Sequence, residues 1–254
     1  MAEDDGASAG SISKEVVRMN FHQFIEGKTI YTNPLESLDD IRDWIEEGAI
    51  DTVEKDGMIQ LSHRRDAEEY GDHAHWVLWC PIDFPDHIII EWNFTPLHDE
   101  GLCMLFFSAM GRAGEDIFDQ ALPKRTGFYP QYHSGAINAL HLSYYRRKQK
   151  EERAFRTCNL RKSHGFHLVA HGADPIPPAS EAMSSFKIRV VKFGAIVQLS
   201  INDLPVLEWQ DNGKDHGPIF AGGKIGFRQM APMKAGYSQF TVKEAINVNE
   251  DHRC

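Results

Sequence analysis

Between residues 73 and 245, ten segments of 8 to 11 residues follow one another, dense in β-branched and aromatic side chains and bounded by Pro, Gly, Asp or Asn. No long helical pattern separates them. Short strands at regular spacing require partners on both sides, and without crossover helices those partners are antiparallel, which predicts an all-β sandwich or barrel. The segments are 73–80, 87–97, 101–111, 138–147, 165–172, 186–194, 195–203, 204–211, 222–230 and 236–245. In 195–203 the residues Val197, Leu199 and Ile201 alternate with Gln198, Ser200 and Asn202, the period of two of a strand with one wet face. At 254 residues the chain suits one large sandwich. The expected domain runs from 15 to 246, with a disordered tail at 1–14 and a short tail at 247–254. Asp56-Gly57 between two apolar runs predicts a tight hairpin. Leu35, Leu38, Ile41 and Ile45 predict a short helix or turn that stops at Gly48. The 26 residues from 112 to 137 lack periodicity, and so long a loop in a compact domain is usually functional.

Charge and cysteine content narrow the function classes. Residues 1–60 hold 14 acids against 5 bases, while the net charge of the whole chain is −10, so the body is almost neutral. An acidic protein repels a phosphate polymer at long range, so no nucleic-acid partner is expected. Within the body, residues 138–167 carry eight Lys or Arg against Glu151 and Glu152, which suits either a small acidic ligand or a solvated basic hairpin. The start of the chain lacks the basic and apolar pattern of a secretory signal, and no run approaches the roughly 18 apolar residues of a membrane helix. The expectation is a cytoplasmic protein without membrane attachment. Cys80, Cys103, Cys158 and Cys254 are widely spaced, which predicts reduced thiols. His73 and His75 flank an alanine, a pairing expected at a sheet end rather than around a metal, so neither metal nor cofactor is expected.

Several long motifs carry a resemblance. WCPxDFPDxIxIEWNFxPL at 79–97, FFSAMGRxGEDxFD at 106–119 and RTGxYxQYHxGxINAxHxSYxRR at 125–147 are similar to the YesU-like family. CNLRKSxGFHLVAxGADPIP at 158–177 and SINDLPVLEWxDxGxxxGPxxxGGKIGFRQMAP at 200–232 extend it, so it covers about residues 30 to 245. The resemblance implies an antiparallel two-sheet jelly roll of the concanavalin A-like lectin and glucanase kind. Bacterial members lie among genes for degrading pectic polysaccharide, which implies a carbohydrate role, although fold does not dictate function.

In such a fold one sheet presents a groove, and alternate residues of neighbouring strands converge there. His141, Ser143, Tyr145 and Arg147 share one parity, as do His167, Val169 and His171; Leu140, Leu142, Phe166 and Leu168 are then expected to face the core. Cleaving a uronate chain by elimination requires a cation at the carboxylate, a base and an acid. The candidates are His141 or His167 as base, Tyr145 as acid, and Arg147 or Arg161 as carboxylate clamp, guanidinium being suited to bidentate grip. The same residues equally suit hydrogen-bonded groove positions without chemistry. A glycosidase needs two carboxyls roughly 5–9.5 Å apart. Glu91 is the best strand acid, but Asn93 follows it two residues on, which lowers hydrolysis below lyase chemistry. Arg228 is expected to face the groove, because Ile225 and Phe227 share the parity of Gln229, with a buried salt-bridging arginine as the equal alternative. The 112–137 loop is expected to fold over the groove mouth and to supply Tyr129, Tyr132 and His133. Three functions remain open: a lyase or hydrolase of a short acidic oligosaccharide, a non-catalytic sugar-binding module, and a tailoring enzyme for another small molecule. The sequence sets no oligomeric state.

Overall fold

The computed structural model describes residues 21, 23–147 and 156–248, so the expected tails fall almost wholly outside the described residues. The strands are β1 (Phe24–Asn33), β2 (Ile45–Glu47), β3 (Ile50–Lys55), β4 (Met58–His63), β5 (Trp76–Trp79), β6 (Ile88–Pro96), β7 (Gly101–Gly111) and β8 (Ile137–Arg147). They continue as β9 (Thr157–Ser163), β10 (His167–Ala173), β11 (Phe186–Phe193), β12 (Ile196–Ile201), β13 (Leu204–Gln210), β14 (Lys224–Met230) and β15 (Ala235–Asn247). One sheet runs β13-β12-β11-β6-β15-β4-β3, with β1 also paired to β15; the other runs β10-β9-β8-β7-β14-β5-β2. All the ladders are antiparallel, giving the two-sheet jelly roll expected from the sequence.

The core lies between the sheets and its middle is aromatic. Trp92 of the first sheet meets Tyr144 and Phe227 of the second at 5.7 and 5.6 Å between ring centroids, and Phe94 meets Tyr144 edge-on at 5.0 Å. Such tilted and edge-on pairs are favoured by the ring quadrupole beyond the area they bury. Lys55 pairs with Met58 across Asp56-Gly57, whose φ values of 57° and 69° are those the expected tight hairpin demands. The expected short helix is one 3-10 turn, Leu38–Ile41, and Gly48 follows at φ 105°.

Bulges re-aim three strands. On β8, Cys103 pairs with Tyr144 but Gly101 with Arg147, so one extra residue is inserted, and Tyr145 takes φ 49°. Ser108 (φ 50°) on β7 and Gln239 (φ 53°) on β15 mark similar insertions. An inserted residue reverses the facing of everything beyond it.

Candidate functional site

The outer face of the second sheet is built by parity. Leu140, Leu142 and Tyr144 of β8 enter the core between the sheets, so His141 and Ser143 point outward. On β7 the core takes Cys103, Leu105 and Phe107, leaving Met104 and Phe106 outside; on β14 it takes Ile225 and Phe227, leaving Arg228 and Met230 outside. Cys158 and Leu160 turn β9 inward, so Asn159 and Arg161 face out.

Residues 112–136 lie across part of this face and bury it. Ile117 and Tyr132 form a second apolar cluster with Val77, Trp79, Met104, Phe106 and Ala139. Glu47 anchors the cover: its carboxylate accepts from Trp79 Nε1 at 2.9 Å, from Tyr132 Oη at 2.8 Å and from Arg125 Nη2 at 2.6 Å. Arg228, fully buried beneath, donates to the Gly127 carbonyl at 2.8 Å and places its guanidinium 4.7 Å from the Tyr129 ring centre and 5.2 Å from that of Tyr132. Among the described residues no carboxylate pairs with it directly, so the two aromatic faces and the carbonyl take the place of a counter-ion.

Beside the cover a cavity of about 150 Å³ remains open. Its apolar lining is Leu102, Met104 and Met230; Tyr129 and Phe166 stand as walls; His141, Ser143, Asn159, Arg146 and Arg161 supply polar groups, and among the described residues no carboxylate lines it. Tyr129 Oη lies 3.3 Å from His141 Nδ1. Burial drives the Tyr129 phenol up to about 12, against the pull of Arg228, Arg161 and Arg146. Burial, followed by the charge of Arg228, holds the His141 imidazole well below its usual 6.5, so it is neutral at neutral pH. Arg161 lies 4.0 Å over the Phe166 ring and donates to the Phe166 carbonyl at 3.1 Å, which fixes its guanidinium at the cavity wall.

The expected site residues are only partly brought together. His141, Arg161 and Tyr129 line the cavity, and Arg228 lies on the same face but sealed beneath Tyr129. His133 stands behind the wall, its ring 4.9 Å from Tyr129 and 4.3 Å from Phe166. Tyr132 is not a wall of the groove but a fully buried anchor of the cover. Tyr145 and Arg147 are turned away by the β8 bulge. Tyr145 joins the core, and Arg147 pairs with buried Asp174 at 3.3 Å and donates to the Ile176 carbonyl at 2.8 Å. His167 pairs in register with Lys162, on the opposite face from Arg161, and stacks on His216 at 4.2 Å. His171 lies opposite Asn159 on the exposed edge strand, on the cavity's face but outside its lining. Glu91 and Asn93 belong to the outer face of the other sheet, where Glu91 binds Lys187 and Arg189 at 2.8 and 3.3 Å and Asn93 binds Gln239 at 3.0 Å. Phe166 precedes β10 and lines the cavity, and Leu168 is 48 % exposed, so neither is a core residue.

Arg146, Asn159 and the Phe166 wall were not anticipated. Asn159 stands two residues before Arg161, so parity would have found it had CNLRKS been taken as a strand. Arg146 gains its place from the bulge, which leaves no mark in the sequence pattern.

A family model described as a domain of unknown function (DUF1961) matches residues 28–242. The chain is 56 % identical to the uncharacterized protein YesU of Bacillus subtilis over 221 residues, 87 % of this chain and 98 % of that one. It is similar to the crystal structure of a Bacillus subtilis protein of unknown function with a galectin-like fold (TM-score 0.85, 55 % identity, covering 89 % of this chain and 100 % of that one). The fold is also that of the endo-beta-1,3-glucanase from Pyrococcus furiosus (TM-score 0.57, 10 % identity, covering 92 % and 99 %).

Proposed function

The chain belongs to the DUF1961 family, and we propose that it binds a short uronate-bearing oligosaccharide and cleaves it by β-elimination. The observation that carries this reading is the composition of the cavity: two guanidinium groups and a tyrosine–histidine pair meet there, and among the described residues no carboxylate joins the lining. Hydrolysis with two carboxyls has no means in such a site. Elimination does. Arg161, with Arg146, holds the uronate carboxylate and stabilises the charge that grows as the neighbouring carbon loses its proton. Tyr129 Oη is the group placed to exchange protons with the sugar, and neutral His141 behind it takes and returns the phenolic proton. With its phenolic proton passed to His141, Tyr129 Oη takes the proton from the carbon beside the carboxylate. The C–H electrons form the new C=C bond, the C4–O bond breaks, and the glycosidic oxygen leaves with the proton that Tyr129 hands on; His141 then returns the phenolic proton. No water is consumed.

The test is absorbance of the unsaturated uronate product over a panel of pectic fragments. The wild-type protein is expected to generate the chromophore, Tyr129→Phe to bind without turnover, and Arg161→Ala to lose binding. Binding by the wild type without any chromophore would replace elimination by a sugar-binding role. New reducing ends without the chromophore would replace it by hydrolysis.

A further inference from the structure

We propose that Arg228, which lines no part of the cavity, is a positioning residue for the Tyr129–His141 pair: its buried charge supports the Tyr129 ring from beneath and keeps the Nδ1 lone pair of His141 open to the phenolic proton. This rests on the functional reading above. Arg228 of β14 lies between Met104 of β7 and Val77 of β5 and is fully buried. Its Nη1 donates to the Gly127 carbonyl at 2.8 Å, and its Nη2 lies 3.5 Å from His75 Nδ1. A guanidinium only donates, so Nδ1 is the accepting nitrogen and the ring hydrogen of His75 sits on Nε2, 3.7 Å from Asp72 Oδ1. Asp72 therefore reaches the guanidinium through the His75 ring. Glu47, the other carboxylate whose field is felt there, is occupied by Trp79, Tyr132 and Arg125. The charge is left to act on the aromatic faces, that of Tyr129 first, at 4.7 Å.

Groups of the cover and of the cavity respond to it. Arg228 pulls the Tyr129 phenol down against burial, and it adds to burial in lowering the His133 and His141 imidazoles. The charges that act most on His141 are cationic: Arg228 from β14, Arg161 from β9 and, when protonated, His133 from the cover. Phe106 of β7 packs against the His141 ring at 4.4 Å, and Tyr129 Oη stands 3.3 Å from Nδ1. A bound uronate changes this balance, because its carboxylate offsets the arginines at the cavity wall and draws a proton towards His141. Arg228 is sealed from the ligand, so its charge persists through binding. The O–H bond of Tyr129 then breaks and an N–H bond forms at Nδ1, a transfer that an already protonated His141 could not accept. The same cation favours the phenolate left behind, which offsets its repulsion of the new imidazolium.

Nuclear magnetic resonance titration of histidine-labelled protein, with the His141 signal assigned by its loss in His141→Gln, reads the effect without substrate. Arg228→Gln keeps a donor for the Gly127 carbonyl and drops the charge. In that variant the His141 titration is expected to rise by about one pH unit or more, and in Arg228→Lys to stay with the wild type. The acid limb of kcat is expected to rise with it in Arg228→Gln, while KM stays within about threefold, since Arg228 does not touch the substrate. Should the Gln variant not fold, Arg228→Met makes the same comparison, an apolar side chain of similar length in place of a buried cation. An unmoved His141 titration in either folded variant overturns the inference. So does Arg161→Gln, if that change alone returns His141 to its ordinary value, because Arg161 would then be the cation in control. A shifted titration without any unsaturated product leaves the control of His141 by Arg228 in place and overturns the elimination chemistry alone. Product formation with an unmoved titration overturns the inference and leaves the functional reading intact.

Discussion

Tyr129 and Tyr132 stand three residues apart at one short helical turn, Pro130–His133, and have opposite surroundings. Tyr129 borders the cavity, whereas Tyr132 is sealed against Trp79 and Phe106 with its hydroxyl between Gly127 N at 3.0 Å and Glu47. Tyr132→Ala removes an aromatic core side chain and one of the donors to a buried carboxylate, so chemical denaturation is expected to show a loss of about 3–5 kcal/mol. A loss within about 1 kcal/mol would contradict its role as anchor. His141 gives a second prediction, in pH. Its folded-state pKa is depressed by burial, so the unfolded chain binds the extra proton and stability falls as pH drops below the ordinary value of 6.5. The slope from this group is at most about 1.4 kcal/mol per pH unit. Melting curves across that range are expected to flatten in His141→Gln, and an unchanged slope would assign the acid sensitivity elsewhere. Sequence alone identified His141, Arg161 and Tyr129 as candidates because parity and aromatic content survive without coordinates. It did not separate Tyr129 from Tyr132, since both are aromatic, both lie in the same loop, and only the position of Glu47, 85 residues away, decides which one is buried.

At the scale of elements, the bulge near the end of β8 determines which arginine reaches the cavity. Strict alternation from His141 selects Tyr145 and Arg147, but the extra residue sends both inward and turns Arg146 out. The two arginines therefore have different consequences on removal. Arg147→Ala leaves Asp174 buried without its cation, and its carboxyl is already held above the usual range by burial. Loss of a buried partner costs about 3–5 kcal/mol. Arg146→Ala is expected to stay within about 1 kcal/mol in stability while weakening uronate binding. Reversed outcomes, measured by denaturation and calorimetry on the two variants, would show that the bulge does not set their roles. The strands that escaped sequence reading are β1, β2 and β9. In β1, FIEGKTIYTN interrupts its apolar positions with Glu, Gly and Lys, and β2 has only three residues. The strands rich in Ile, Val, Leu and aromatics were placed within one to three residues at most ends, because burial on both faces demands that composition.

For the whole molecule, the two outer faces have different characters. That of the first sheet carries the ion pairs of Glu91 with Lys187 and Arg189, while that of the second is partly covered by residues 112–136 and keeps the cavity beside Tyr129. Alternation told which residues lie on some outer face, but could not tell which sheet a strand joins. Glu91 and His141 are therefore indistinguishable by pattern, although β6 and β8 lie in different sheets. The central claim is that the cavity bounded by Tyr129, His141 and Arg161 is where a uronate binds and reacts. The measurement that tests it most directly is a crystal structure of Tyr129→Phe soaked with a uronate disaccharide, the variant chosen to hold substrate without turnover. The account predicts one ring inside the cavity, its carboxylate within hydrogen-bonding distance of the Arg161 guanidinium and its C5 facing the position vacated by the Tyr129 hydroxyl. A disaccharide bound on the other sheet, or one seated in the cavity with its carboxylate turned to solvent, would contradict it.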